Sequence, residues 1–130
     1  MKKLISLILF CSALVWAGEG PKSSGPILVE TSWLSAPRAG KTAELQVSAQ
    51  IHDETSDELT LAIRSSKGLK IKSQKKKTFH GPVAIHEIKT HVFKIKVSSD
   101  FKKGRVVIDA SRRIEKTQET VSKAVLIILQ

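Results

Sequence analysis

"TAELQVSAQI", Thr42–Ile51, alternates along its whole length. Ala43, Leu45, Val47, Ala49 and Ile51 share one parity, and Glu44, Gln46, Ser48 and Gln50 share the other. Successive side chains of a strand point to opposite faces, so this period of two reads as a half-buried β-strand. The pattern continues outward from it. "LTLAIR" turns Leu59, Leu61 and Ile63 inward. "GLKIKS" turns Leu69 and Ile71 inward, with Lys70 and Lys72 outward. "VFKIKVS" places Phe93, Ile95 and Val97 inside, with Lys94 and Lys96 outside, and "GRVVIDAS" adds Val106, Ile108 and Ala110. "ILVETSWL", Ile27–Leu34, opens the series and "AVLIILQ" closes it. In the closing run Val125, Ile127 and Leu129 take one face and Leu126 and Ile128 the other, so cover is expected on both sides. Turn chemistry separates the runs at Ala36–Lys41, His52–Glu58, Ser65–Gly68, His80–Pro82 and Ser99–Gly104. About seven short strands between frequent turns predict an all-β, antiparallel two-sheet sandwich. A small barrel is the alternative.

The order of these stretches carries a resemblance. "APRAGKTAELQV", then "LTLAI", "FKIKVS", "GRVVIDA" and a hydrophobic last strand resemble the immunoglobulin-like domains of exported bacterial proteins. The resemblance covers Ile27–Leu129 and implies the sandwich fold, in a group known for binding and spacing. The sequence departs from better-known members in having no cysteine pair, and in Val106, where an aromatic is common, so a tyrosine corner is not expected.

The amino terminus reads differently. "MKK" precedes a thirteen-residue apolar run, Leu4–Trp16, broken only by Ser6 and Ser12. Val15 and Ala17 stand where a signal peptidase needs small residues. Residues 1–17 therefore read as a cleaved signal peptide. The run is too short for a spanning helix, which needs roughly 20 residues. Cys11 follows Phe10, where a lipidated cysteine would follow a small residue, so it is expected to leave with the signal. Residues 18–26 read as a flexible Gly/Ser/Pro leader and 27–130 as the sandwich domain. The expected location is the periplasm or the extracellular space, with a core that holds together without disulfides.

No catalytic, metal or cofactor motif stands out. The serines lack a nucleophile-elbow pattern, and after cleavage no cysteine remains. His80, His86 and His91 fall within twelve residues. The five-residue spacing of His86 and His91 sends them to opposite faces of a continuous strand, so a metal carrier built on His80–His91 is the weakest functional reading. "HDETSDE", His52–Glu58, reads as a solvated acidic hairpin. It lacks the ligand spacing and turning glycine of a calcium loop. Trp33 reads as a core tryptophan. With no tyrosine and three mature phenylalanines, single-stranded nucleic acid has no stacking platform.

Charge is the remaining signal. Gly18–Ser66 holds four basic and seven acidic residues; Lys67–Arg105 holds twelve basic residues against Glu87 and Asp100. Within "KGLKIKSQKKKTFHG", Lys70, Lys72, Lys75, Lys76 and Lys77 are candidates for one anion- or partner-binding surface. Lys94 and Lys96 join it if the two lysine-bearing strands share a sheet. The chain thus reads as a non-catalytic exported binding or accessory domain, foremost a protein-interaction subunit of the cell envelope. The alternative is an anion-binding protein whose lysine face takes lipid headgroups, lipopolysaccharide or wall polymer. Lysines that only keep strand edges from pairing are the structural explanation of the same pattern.

Overall fold

The computed structural model describes residues 26–129, and all of its regular structure is β. The signal-peptide reading of residues 1–17 and nearly all of the leader lie outside the described residues. Eight strands follow in order: β1 (Ile27–Ser35), β2 (Thr42–Ile51), β3 (Ser56–Ser65), β4 (Leu69–Ile71), β5 (Lys76–Val83), β6 (Ile88–Val97), β7 (Lys103–Ile114) and β8 (Thr117–Ile128). They form two four-stranded sheets, ordered β1-β2-β6-β4 and β5-β3-β7-β8, in which every pair is antiparallel. The first order is the A-B-E-D sheet of an immunoglobulin-like sandwich. The second is its C-F-G sheet with β5 added outside β3. Between β3 and β5, neighbours in the second sheet, the chain crosses to lay the three residues of β4 beside β6 in the first.

The alternating parities meet between the sheets. Leu45, Val47, Leu59, Leu61, Phe93, Ile95, Val106 and Ile108 are fully buried, and Ile27, Ile51, Val83 and Val97 belong to the same core. The two ends of the sandwich close differently. At the end holding β4, Phe101 plugs the core from the β6–β7 connection. Gly68, at φ 89°, lets the backbone pass against that ring; a Cβ there would stand 2.9 Å from Phe101 Cδ1. At the other end the plug is ionic. Arg112 continues the inward parity of Ile108 and Ala110 and is 4% exposed. Its guanidinium donates to both Asp53 carboxylate oxygens, at 2.8 Å from Nη2 to Oδ2, and through Nε to Glu119 Oε1 at 2.8 Å.

Three sequence expectations change. Leu126 and Ile128 are 63% and 58% exposed, because β8 is an edge strand whose outer face no element covers. His80–Pro82 is not a turn but part of β5, with His80 opposite Glu58. Its glycine and proline sit on a sheet edge, where a missing N–H breaks no ladder. The last strand starts at Thr117, well ahead of "AVLIILQ". A two-residue turn joins it to β7, with Glu115 at φ 55° and its N–H held by Asp57 Oδ2 at 2.8 Å.

Candidate binding face

β4 and β6 do share a sheet, and this decides where the lysines stand. Lys70 lies directly opposite Lys96, and the Lys72 N–H donates to the Lys94 carbonyl at 2.8 Å. All four side chains therefore occupy the outer face of the first sheet, and all four are exposed. Like charges directly across a strand pair oppose sheet formation. Here Lys96 Nζ turns aside to donate to the Gly40 carbonyl at 2.8 Å.

The other three candidates are distributed elsewhere. Lys75 belongs to the β4–β5 connection. Lys76 opens β5 on the outer face of the second sheet, opposite Ala62. Lys77, opposite Leu61, has the inward parity. The triplet "KKK" thus spans two faces of a different sheet, and the seven candidates do not share one plane. Among the described residues, none of the seven forms an ion pair.

What unites them is the end of the sandwich they occupy. By strand position, the nineteen Lys and Arg residues of 26–129 divide fifteen to four along the strand axis, although the Lys123 side chain reaches across to Val29 in the other half. The half holding β4 and the β6–β7 connection has the fifteen, against Glu44, Asp100 and Asp109. The other half has Lys89, Arg112, Arg113 and Lys116 against Glu30, Asp53, Glu54, Asp57, Glu58, Glu87, Glu115 and Glu119. Carboxylates of the second half are engaged in internal contacts. Asp53 and Glu119 hold Arg112. Asp57 holds the Glu115 N–H. Glu58 meets His80 at 3.1 Å and Arg113 at 3.7 Å, and Glu87 meets Lys89 at 2.8 Å. The acidic loop His52–Glu58 thus does structural work. The hydrogen bonds from Arg112 hold the Asp53 carboxyl down from 3.8 to about 2.

The histidines are dispersed. His80 meets Glu58 at the surface. His86 occupies the turn before β6, at φ 70°, with its ring edge-on to His52 at 5.6 Å. His91 points inward against Phe93, its ring 4.8 Å away. Burial, and then the charge of Lys77, push the His91 imidazole below its ordinary value. Among the described residues, no group of three or more His, Cys, Asp or Glu is placed to hold a metal ion, and no serine or threonine hydroxyl hydrogen-bonds a histidine. Trp33 is partly buried, packed on the core opposite Leu45. A shallow polar groove of about 410 Å³ lies over β1 and β2, walled by Glu30, Thr31, Ser32, Gln46, Ser48 and Lys123.

No family model matches this chain, and no curated protein sequence matches it. Solved structures do. The chain superposes on native α-2-macroglobulin from Escherichia coli, in the structure spanning domain MG7 to the C-terminus, with a TM-score of 0.67 and 17% identity. That match covers 81% of this chain and 16% of the other, so the chain spans a small fraction of that protein's length. A FixG-related protein from Vibrio parahaemolyticus matches with a TM-score of 0.50 and 6% identity, over 81% of this chain and 99% of the other. The likeness is one of fold: an immunoglobulin-like sandwich.

Proposed function

We propose that this protein is a non-catalytic, exported accessory domain of the cell envelope that binds an acidic partner protein through the basic half of its sandwich. The observation that carries this reading is the axial charge separation. One half holds fifteen of the nineteen Lys and Arg positions, and among the described residues the seven candidate lysines there form no ion pairs. Solubility alone is served by dispersed charge; segregation builds a field that draws an oppositely charged surface. The absence of an acid–base–nucleophile constellation among the described residues agrees with a binding role. Export rests on the residue 1–17 pattern, and cleavage leaves Gly18 first, which mass spectrometry of exported protein tests. The exposed outer face of Lys70, Lys72, Lys94 and Lys96 also suits anionic headgroups or polymer, which is the second reading.

The deciding experiment compares the parent protein with a variant carrying Lys70, Lys72, Lys94 and Lys96 all changed to Glu. Both are immobilised against envelope extract, and separately against anionic vesicles and wall polymer. A defined protein retained at physiological salt by the parent and lost from the variant supports the partner reading. Retention of vesicles or polymer at that salt, with no protein dependent on the lysines, replaces it with the second reading.

A further inference from the structure

β6 runs ten residues, but β4 covers only its last part. The Lys94 N–H donates to Ser73 Oγ at 3.0 Å, and its carbonyl accepts the Lys72 N–H at 2.8 Å, both on the β4 side. In an antiparallel strand every second residue turns its N–H and C=O the same way. Val92, Thr90 and Ile88 therefore aim theirs toward the β4 side, where β4 has ended. The edge of the second sheet facing this gap is β5, paired only with β3.

The inner side chains of this seam are not apolar closures. Lys77 on β5 and Lys89 on β6 have the inward parity, and Lys89 also meets Glu87 at 2.8 Å, while Lys77 forms no ion pair among the described residues. Their Nζ atoms stand 5.6 and 5.7 Å from the centroid of the Phe79 ring between them. His91 shares the seam, and its Nε2 is buried without a hydrogen-bond partner. At the opposite seam a lysine instead ties the sheets together: Lys123 Nζ on β8 donates to the Val29 carbonyl of β1 at 3.2 Å.

Resting on the reading of an acidic partner, we infer that Ile88–Val92 of β6, just past the basic half, accepts an extended acidic segment of that partner as an added strand, in line with β4 and continuing from the Lys70–Lys96 face. Strand addition supplies main-chain hydrogen bonds to the three free N–H and C=O pairs, and alternate side chains supply selectivity. Inward-pointing lysines at sheet edges repel a neutral or basic strand. They also exclude a second copy of this edge, which would set lysine against lysine. A strand with carboxylates at alternate positions instead sets one beside Lys77, next to the Phe79 ring, with Lys89 and its Glu87 partner flanking it.

The probe is a fluorescent hexapeptide, Glu-Val-Glu-Val-Glu-Thr. A matched peptide is N-methylated on the backbone at alternate residues, and polyglutamate serves as a charge-only control. Anisotropy titrations use the parent protein, Lys77→Glu with Lys89→Glu, and the four-lysine variant of the outer face. Hydrogen exchange follows the amides of Ile88, Thr90 and Val92. The expected result is binding that weakens by about tenfold or more on N-methylation, because backbone hydrogen bonds are lost at constant charge. The Lys77/Lys89 double variant loses the peptide, and exchange slows at those three amides. Equal affinity for the two peptides, or protection confined to the Lys70–Lys96 face, overturns strand addition while leaving the acidic-partner reading intact. Failure of the peptide with polyglutamate still bound has the same meaning. Failure of both acidic probes at low salt removes the two readings together.

Discussion

Replacing Asp53, Glu119 or both by alanine tests how the acidic end is held. Arg112 is 4% exposed, while each carboxylate that meets it is 47% exposed. A carboxyl displaced from 3.8 to about 2 would correspond to about 2.5 kcal/mol of stability at full strength. Solvent reaches half of the Asp53 side chain, so screening reduces this to about 1 kcal/mol. Asp53→Ala alone should therefore cost about 1 kcal/mol, because Glu119 still faces the guanidinium, and Glu119→Ala should cost a similar amount. The double variant leaves a buried cation alone, a loss of about 3–5 kcal/mol. Urea unfolding at neutral pH reads all three. The double variant should exceed the sum of the singles by about 1–3 kcal/mol. The same carboxyl gives a pH signature. Its folded pKa lies below its unfolded one, so its contribution is complete above about pH 4 and is lost as pH falls toward 2. Asp53→Ala should lack that component. Additivity within about 0.5 kcal/mol would refute the clamp, since it would mean that Arg112 finds water once either partner leaves.

Leu45→Ala or Ile95→Ala, both fully buried, should cost about 2–4 kcal/mol through lost burial and a cavity. Gln46→Ala, outward on the same strand, should cost under about 1 kcal/mol in the same denaturant melts. Gly68→Ala combines a left-handed backbone with a Cβ 2.9 Å from Phe101 and should cost about 2 kcal/mol or more. Gly81→Ala, at φ 88° but in open space, should cost only the backbone part, about 1 kcal/mol. Lys70→Glu removes the like-charge pair with Lys96 and should hold or raise stability by about 0.2–1 kcal/mol, while weakening capture of an acidic ligand by surface titration. His91 is driven below its ordinary pKa by burial and Lys77. Its contribution is thus present above the unfolded imidazole pKa and lost as pH falls through that range. His91→Leu should flatten that part of the stability profile in thermal melts.

The strands that carry the core were legible because each faces water on one side only. In Thr42–Ile51 or Phe93–Val97 every second residue is apolar, and which face turns inward follows from that alone. Which strands pair was not legible, so neither was the placement of the lysines. Lys70 and Lys96 become neighbours only because the chain crosses between sheets for three residues at β4. Lys77 and Lys76 differ by one position and face opposite ways, and that parity is set by pairing with β3. Arg112 had a readable signal: it continues the parity of Val106, Ile108 and Ala110. An arginine is ordinarily assigned to solvent, and only the two carboxylates, one of them 59 residues distant, make its burial tolerable. The β7–β8 turn, Glu115–Lys116, was hidden because it uses neither glycine nor asparagine.

Crowding fifteen cations onto half of a rigid sandwich means that the folded protein repels itself at that end, and the unfolded chain, being longer, repels itself less. Dissolved salt, which shortens the reach of such forces to roughly 8 Å at physiological strength, should therefore firm the fold as it loosens the grip on an anionic ligand. Folding and binding would move in opposite directions along one axis of ionic strength. A bound polyanion would do locally what salt does everywhere. It would relieve the strain of concentrated charge, so that the complex melts higher than the free domain by an amount that shrinks as salt is added.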